Sequence, residues 1–261
     1  MVDEQRFGRS PLMIRDTSHY LSEYTENFVE HWDEVANWEI RDEYEKDYYN
    51  NILKNGRCEY VLDVATGTGY HSVKLTTLGY KVTSLDGCTT MLKKAVSNGL
   101  KKGIVLNTIS CDWQNISSSI LPHEYDAVIC LGNSFTHVFE SSERIKILKK
   151  FRSTLKPNGI LIIDHRNYDS IVKGIPTKRA QYYAGVSATA EPEYIDNGLA
   201  RYKYKFKDGT CYYLNMFPIT RDVLIAEALE AGFNLEHTLH DLKEVNTKDA
   251  AFVQHIFRSF Q

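Results

Sequence analysis

Hydrophobic and polar residues follow two different rhythms along this chain. From about residue 17 to residue 55, apolar and aromatic residues recur at helical spacing among acidic ones, which predicts a helical N-terminal segment. From residue 60 onward, short apolar runs alternate with longer amphipathic stretches, as in a parallel sheet whose strands are joined by helices. We predict strands at 60–65, 81–85, 105–110, 125–131 and 160–164, and helices at 69–78, 89–98 and 142–155. The pattern indicates a doubly wound α/β sheet, in which ligands bind beyond the carboxyl ends of the strands.

The rhythm changes between residues 168 and 217. Tyr202, Tyr204 and Phe206 alternate with lysines, the turn Asp208-Gly209 follows, and a second apolar run covers 211–217, which together predict an antiparallel hairpin. A helix is predicted at 220–231, and closing strands are predicted at 235–240 and 252–258. We therefore predict a helical segment over 1–55 that covers the ligand cleft, a core made of 56–167 and 218–261, and a tyrosine-rich antiparallel cap over 168–217.

The clearest chemical signal follows the first predicted strand, where Asp63 and Ala65 lead into the turn Thr66-Gly67-Thr68-Gly69. Glycines at these positions allow backbone angles and a close approach that a Cβ atom would block. The second predicted strand ends at Asp86, whose carboxylate can accept hydrogen bonds from both hydroxyls of a ribose. A glycine turn paired with a strand-end acid predicts a cofactor that contains a nucleoside. A glycine turn in an unrelated α/β protein is the alternative.

The residues around the turn distinguish between two cofactors. A dinucleotide site has a third glycine where this chain has Ser72, and it places a helix N-terminus against a pyrophosphate. Asp63 lies just ahead of the turn, where a carboxylate would repel a pyrophosphate but would suit a cation. S-adenosylmethionine has no phosphate and carries a sulfonium and an ammonium group. The charge pattern therefore favours S-adenosylmethionine over NAD.

Composition excludes several classes of function. With 43% hydrophobic and 25% charged residues the chain can build a full core, and a net charge of -3 argues against a nucleic-acid partner. No apolar run approaches a membrane span, and the first residues lack the apolar stretch of a secretory signal. The five cysteines form no C-x-x-C pair, so we expect reduced thiols in a cytoplasmic protein without a metal site.

Two polar clusters follow neighbouring predicted strands and point to the acceptor. Asn133 follows the fourth strand and Arg166 follows the fifth, so both are expected at the same cleft. An arginine can hold a carboxylate through two parallel hydrogen bonds, and an asparagine oxygen can accept from an amine. Beside a methyl donor, this pair suggests a small amino acid as the substrate. The alternative is that Arg166 forms a structural ion pair with Asp164 or Asp169.

Other residues near the expected cleft have both a chemical and a structural interpretation. His137 and His165 are candidate general bases, although a histidine near a cleft is more often a hydrogen-bonded structural residue. Trp113 can stack on adenine, with Asp112 near its exocyclic amine, or it can belong to the core. The 17 tyrosines supply faces and hydroxyls that attract a small cationic centre, although they too can serve only the core.

These clusters resemble the glycine N-methyltransferase family. The resemblance covers most of residues 24–175, and within the family the chain is most similar to the glycine/sarcosine N-methyltransferases of betaine-producing microbes. It is carried by Cys130-Leu131-Gly132-Asn133-Ser134-Phe135 with His137, by Ile163-Asp164-His165-Arg166-Asn167-Tyr168-Asp169, and by the glycine turn with Val82-Thr83-Ser84-Leu85-Asp86.

The resemblance implies a Rossmann-like class I methyltransferase fold, in which a mostly parallel seven-stranded sheet carries an antiparallel tyrosine-rich cap. It also implies S-adenosylmethionine as the cofactor and S-adenosylhomocysteine as its product. The implied reaction is N-methylation of glycine and sarcosine to sarcosine and dimethylglycine, in the betaine osmolyte pathway.

The resemblance also implies roles for individual residues. Arg41 would reach the methionine carboxylate, Asp86 the ribose, and Tyr24 the transferred methyl group. The implied cofactor site consists of Tyr24, Trp32, Arg41, Ala65, Gly67, Asp86, Met91, Asp112, Trp113, Leu131 and His137. The implied acceptor site consists of Asn133, Arg166, Tyr183, Tyr204 and Met216, and the residues closest to the chemistry are Tyr24, Asn133 and Arg166.

One departure from the family bears on the acceptor. Where the mammalian members have Tyr-Tyr-Pro, this chain has Met216-Phe217-Pro218, which replaces a hydroxyl by a flexible thioether and could admit an acceptor that already carries a methyl group. The N-terminal and insertion segments are shorter than in the mammalian members, so the tetramer of those members does not carry over, and the expected assembly is no more specific than a homo-oligomer. Two alternatives stay open: a methyltransferase for another small amino acid or nucleophile, and a non-catalytic regulator that binds S-adenosylmethionine.

Overall fold

A seven-stranded sheet lies at the centre of the molecule. The computed structural model describes residues 14–178, 187–244 and 247–260. The strands are β1 (Tyr60–Asp63), β2 (Lys81–Asp86), β3 (Asn107–Ser110), β4 (Tyr125–Cys130), β5 (Leu155–Arg166), β6 (Ala188–Ile195), β7 (Ala200–Phe206), β8 (Cys211–Met216), β9 (Phe233–His240) and β10 (Phe252–Ser259). The order across the large sheet is β3-β2-β1-β4-β5-β10-β9, and β6-β7-β8 form a separate three-stranded sheet.

The large sheet is parallel from β3 to β5 and antiparallel at its other edge. β10 runs antiparallel to both β5 and β9, so it is inserted between them. Helices cover both faces of the parallel part, which explains why β4 is a nearly continuous apolar run rather than an alternating one. The predicted doubly wound α/β fold, mostly parallel with an antiparallel edge and a separate small antiparallel sheet, is confirmed.

The helices are α1 (Tyr20–Glu23), α2 (Glu26–Val35), α3 (Trp38–Glu45), α4 (Tyr48–Asn55), α5 (Tyr70–Thr77), α6 (Thr89–Lys101), α7 (Ile116–Ser119), α8 (Ser141–Thr154), α9 (Tyr168–Ile171) and α10 (Arg221–Glu230). Short 3₁₀ helices lie at Thr17–His19, Trp113–Asn115 and Ser134–His137. None of the helices within the described ranges has the length and apolar character that a membrane span requires.

The N-terminal segment is helical but interrupted. Thr25 and Asn37 each cap a new helix, because their side chains accept hydrogen bonds from the N–H groups of Phe28 and Ile40. The segment therefore folds as short helices joined by corners, and these corners let it wrap around one end of the sheet.

β5 is longer than the predicted strand over 160–164. α8 ends at Thr154, as the following Pro157-Asn158-Gly159 predicts, but the strand begins at once at Leu155. The register with β4 shifts between Tyr125 and Ala127, so the proline-containing segment is absorbed as a bulge. At its other end β5 pairs with β10 up to Arg166, three residues past the last pair with β4 at Ile163. This overhang positions Arg166.

The small sheet contains the predicted hairpin and one additional strand. β7 and β8 pair antiparallel around the turn at Asp208-Gly209, as predicted. β6 pairs with the other side of β7, and the sequence did not predict it, because its residues carry little alternation and much of the strand is exposed. The inner face of the sheet buries Tyr202 and Tyr204. It packs on α2, where the rings of Phe28 and Tyr212 stack with centroids 4.6 Å apart.

Candidate active site

One cavity lies where β1, β2 and β4 end, under the N-terminal helices. Its wall includes every residue of the implied cofactor site: Tyr24, Trp32, Arg41, Ala65, Gly67, Asp86, Met91, Asp112, Trp113, Leu131 and His137. The sequence did not single out other residues of the wall, among them Tyr20, Tyr70 and His71. The described parts of the chain contain no cluster of histidine, cysteine or acidic side chains suited to a metal ion.

The glycine turn forms one side of the cavity. Gly67 and Gly69 adopt φ values of +55° and +98°, which other residues adopt only with strain. A Cβ atom on Gly67 would meet nothing within 4 Å, whereas one on Gly69 would lie 3.0 Å from the Cβ of Ala95 on α6. Gly69 is therefore required for helix packing, while Gly67 leaves room beside the cavity.

Asp86 is held in place by two backbone donors. Its Oδ2 accepts from the N–H of Gly67 and its Oδ1 accepts from the N–H of Cys88, both at 2.8 Å. A carboxylate can accept about four hydrogen bonds, so further acceptor capacity is left for ribose hydroxyls. Burial raises the pKa of Asp86 to about 6, although the two backbone donors oppose this rise.

Asp63 has a different place from the one that its charge suggested. It is 2% exposed and lies beneath the turn rather than in the cavity wall. Its oxygens accept from the Ser72 hydroxyl at 2.7 Å and from the Ala65 N–H at 3.3 Å, and Ser84 donates in turn to Ser72. Burial raises the pKa of Asp63 to about 7. Asp63 and Ser72 thus shape the turn from below, and Asp63 does not present its charge to a ligand in the cavity.

Arg41 reaches the cavity from α3 through a buried ionic network. Its Nε donates to Glu45 Oε1 at 2.6 Å, and His71 Nε2 lies 3.1 Å from Glu45 Oε2. Burial raises the pKa of Glu45, but the charges of Arg41 and His71 outweigh it and hold the value at about 2. Among the described residues, the buried Nη2 of Arg41 has no hydrogen-bond partner. A ligand carboxylate could accept a hydrogen bond from this nitrogen.

Met91 and Trp113 give the cavity wall an apolar part. Met91 is 3% exposed, and the Trp113 indole N–H donates to the Val64 carbonyl at 2.6 Å, which fixes the plane of the ring. Trp113 also packs edge-on against Phe151 of the core, at 5.7 Å between centroids. Trp113 therefore belongs to the core and also lines the cavity wall. Asp112 lines the same cavity.

Tyr24 and His137 close the end of the cavity near the small sheet. The Tyr24 hydroxyl lies 3.2 Å from His137 Nε2, and the ring of Tyr24 packs against Trp32 at 5.3 Å. Burial lowers the pKa of His137 to about 4, so its imidazole is neutral at pH 7 and only weakly basic. This does not favour His137 as a general base. His165 is fully buried and lies outside the cavity wall, so the structure does not place it as a base either.

Three of the acceptor candidates, Asn133, Arg166 and Met216, form a buried cluster next to that end. Asn133 Oδ1 accepts from the backbone N–H of Arg166 at 2.9 Å, and Asn133 Nδ2 lies 3.0 Å from the sulfur of Met216 and 3.3 Å from the hydroxyl of Tyr168. The amide orientation is determined, because a donor faces its oxygen. The guanidinium of Arg166 lies over the ring of Tyr202, 4.4 Å from its centroid. Leu131, two residues before Asn133, lines the cavity, so cluster and cavity adjoin.

The suggested ion-pair partners of Arg166 and the tyrosine candidates for the acceptor site have different surroundings. Asp164 and Asp169, the suggested ion-pair partners of Arg166, accept from the backbone N–H groups of Asn133 at 2.7 Å and of Arg221 at 2.9 Å. Tyr204 is fully buried behind Trp32, with ring centroids 5.7 Å apart. Tyr183 lies outside the residues that the structure describes.

Comparison with known proteins identifies the relatives of this chain. Residues 61–159 match a family model described as a methyltransferase domain. A glycine/sarcosine N-methyltransferase from Aphanothece halophytica is 45% identical over 246 residues, which are 94% of this chain and 92% of that protein. One of the same description from Halorhodospira halochloris is also 45% identical, over 92% of this chain and 90% of its own length.

A structural relative supports the fold. The crystal structure of an S-adenosylmethionine-dependent methyltransferase from Clostridium acetobutylicum superposes with a TM-score of 0.72 at 16% identity, over 90% of this chain and 98% of the other. At this identity the likeness concerns the fold alone. The sequence relatives, in contrast, are close and cover nearly the full length of both chains. This chain belongs to the glycine/sarcosine N-methyltransferase family.

Proposed function

We propose that this protein transfers a methyl group from S-adenosylmethionine to the nitrogen of glycine and of sarcosine. The observation that carries the proposal is that two sites adjoin. One is a cavity whose wall includes Asp86 and Arg41, and the other is a buried cluster in which Asn133 accepts a 2.9 Å hydrogen bond from the backbone N–H of Arg166. The names of the relatives at 45% identity support the same reaction.

The cavity residues fit the cofactor. Asp86 would accept from the ribose hydroxyls, Met91 and Trp113 would hold the adenine, and the Nη2 of Arg41 would bind the carboxylate of the methionine part. The bound cofactor supplies a methyl group activated on a sulfonium. The tyrosine and tryptophan faces around Tyr24 suit a sulfonium, because aromatic rings attract cations.

The acceptor would be held by its carboxylate. Arg166 offers a planar fork that can form two parallel hydrogen bonds with a carboxylate, and the ring of Tyr202 supports its guanidinium. The amine must be neutral to attack the methyl group. With the pKa of His137 lowered to about 4 by burial, we expect the amine to lose its proton to solvent, so that the rate rises with pH. The protein then contributes position and a dry site.

Met216 is the residue that we propose for the acceptance of sarcosine. Its side chain is 1% exposed, and its sulfur lies 3.0 Å from the Asn133 amide nitrogen. A thioether is flexible and apolar, so it can yield to the methyl group that sarcosine carries. A tyrosine at this position would add both volume and a hydroxyl.

A methylation assay with glycine, sarcosine and dimethylglycine, with product masses measured, tests the proposal. We expect one or two methyl groups to be added to glycine, one to sarcosine and none to dimethylglycine. Equal turnover of amines that lack a carboxylate would favour a different nucleophile. Tight cofactor binding without any methylated product would favour the regulator.

The same assay tests Arg166 directly. Arg166→Lys should raise the KM for glycine about 30-fold, which corresponds to roughly 2 kcal/mol for a charge-assisted pair, and should leave cofactor affinity nearly unchanged. Arg258→Lys is the matched control, because Arg258 pairs with Glu236 on the surface of the sheet. An unchanged KM in Arg166→Lys would remove Arg166 from the acceptor site.

A further inference from the structure

A line of polar side chains crosses three strands of the sheet and ends at Arg166. His165 Nδ1 lies 2.7 Å from the Arg166 carbonyl oxygen, and His165 Nε2 lies 3.0 Å from His255 Nε2. His255 Nδ1 lies 3.1 Å from the hydroxyl of Thr238, which is its register partner on β9. Both histidines are fully buried, whereas Thr238 is partly exposed on the edge strand.

The chemistry of these atoms determines the direction of every hydrogen bond. The Arg166 carbonyl can only accept, so His165 must carry its proton on Nδ1, and its Nε2 can then only accept. His255 must therefore donate from Nε2, which leaves its Nδ1 as the acceptor of the Thr238 hydroxyl. Burial lowers the pKa of both histidines, so both are neutral and each has a single tautomer that fits.

The end of β4 explains why the Arg166 backbone needs this support. The N–H of Asn167 donates to the carbonyl of Ala251 on the β10 side, so in the alternating antiparallel pattern the polar groups of Arg166 point away from β10. On that other side β4 has already ended, since its last pair with β5 is at Ile163. Two side chains replace the missing strand: Asn133 accepts from the N–H of Arg166, and His165 donates to its carbonyl.

We propose that His165 is a positioning residue for Arg166, and that His255 and Thr238 hold it in the one tautomer that can donate to the Arg166 carbonyl. This inference rests on the proposed function, because the orientation of Arg166 matters only if Arg166 binds the acceptor. His165 lies outside the cavity wall and acts through the backbone of its neighbour. The line of side chains fixes the Arg166 backbone, and it thereby orients the guanidinium that would hold the carboxylate.

Two substitutions at His165 separate a positioning role from simple packing. In His165→Asn the amide nitrogen can take the place of Nδ1 and still donate, whereas His165→Leu removes the donor. We expect His165→Leu to raise the KM for glycine about tenfold, with S-adenosylhomocysteine affinity by calorimetry unchanged, and we expect His165→Asn to stay within about threefold of wild type. Equal KM values for wild type and a folded His165→Leu would overturn the proposal.

Nitrogen NMR of the imidazoles and substitution of the partly exposed Thr238 test the rest of the line without disturbing the core. We expect the His165 proton on Nδ1 and the His255 proton on Nε2. Thr238→Ser should keep this state and the glycine KM, while Thr238→Val should release the His255 tautomer and raise the KM about two- to threefold. A His165 proton on Nε2 in the wild type would refute the assignment, even if both His165 variants failed to fold.

Arg166→Lys in the same series separates this inference from the proposed function. If Arg166→Lys raises the glycine KM and His165→Leu does not, only the positioning role fails. If Arg166→Lys leaves the glycine KM unchanged, Arg166 does not bind the carboxylate and both proposals fail.

Discussion

Replacement of Glu45 by glutamine tests the network that orients Arg41. Glu45 and Arg41 are 3% and 4% exposed, and the amide would keep the shape of the carboxylate but remove its charge. Arg41 would then be a buried cation without its counter-ion, and His71 would lose its charged partner. We therefore expect Glu45→Gln to destabilise the protein and to weaken cofactor binding together.

The magnitude follows from the pKa of Glu45. The value falls from an ordinary 4.5 to about 2, against the effect of burial. At about 1.4 kcal/mol per pKa unit this difference corresponds to about 3 kcal/mol of folding free energy. Removal of one partner of a buried ion pair usually costs about 3–5 kcal/mol, which agrees. Because the folded-state pKa is lowered, the contribution is complete above about pH 4.5 and is lost as the pH falls toward about 2.

Urea unfolding near neutral pH measures the loss of folding free energy. Calorimetry with S-adenosylhomocysteine measures the loss of cofactor affinity, which we expect to be about tenfold. Glu43→Gln is the matched control, since Glu43 is exposed on the same helix. We expect the control to change the free energy of unfolding by less than about 0.5 kcal/mol. A Glu45→Gln protein as stable as the control would show that the network does not hold Arg41.

Three further predictions concern the two sites. Asp86→Ala should weaken S-adenosylhomocysteine binding about tenfold. The wild type should lose affinity as the pH falls through about 6, where Asp86 gains its proton, and the variant should lack this pH dependence. A variant with the same affinities as the wild type across this pH range, measured by calorimetry, would contradict the assignment. Met216→Tyr should lower the ratio of sarcosine to glycine turnover about tenfold. An unaltered ratio would mean that Tyr24 or Tyr204, and not Met216, determines which acceptors are methylated. His137→Gln should leave the position of the pH–rate profile unchanged, because the pKa of His137 is already about 4; a shifted profile would make His137 a base.

The order of strands and helices could be predicted because each buried strand is a short apolar run bounded by turns. Members of the cavity wall could be predicted, because Asp86 and Leu131 lie at strand ends and because the resemblance to the family extends to the helical residues Trp32 and Arg41. The strand β6 could not, since Glu191 to Tyr194 are exposed and do not alternate with apolar residues. The burial of Asp63 also could not, because only the folded turn shows that Ser72 and not a ligand satisfies it.

The sequence singled out Asn133, Arg166 and Met216, which the structure brings together, but it did not predict how they are connected. That Asn133 would accept from the backbone of Arg166 depends on where β4 ends relative to β5, and this is a property of the sheet register. His255 and Thr238 are distant in sequence from Arg166, and pairing across β10 and β9 brings them into line. Local patterns carry no signal for such contacts.

The N-terminal helices supply one wall of the cavity and the sheet supplies the other, which has a consequence for dynamics. Tyr24, Trp32 and Arg41 lie on or beside α2 and α3, whereas Asp86 is the last residue of β2 and Leu131 follows β4. A ligand that touches both walls can bind only while the helices are docked, so its affinity is reduced by the fraction of molecules in which they are open. Amide hydrogen exchange over residues 17–45 should therefore slow on cofactor binding far more than exchange in β4, since the ligand adds its binding free energy to the local opening of the helices.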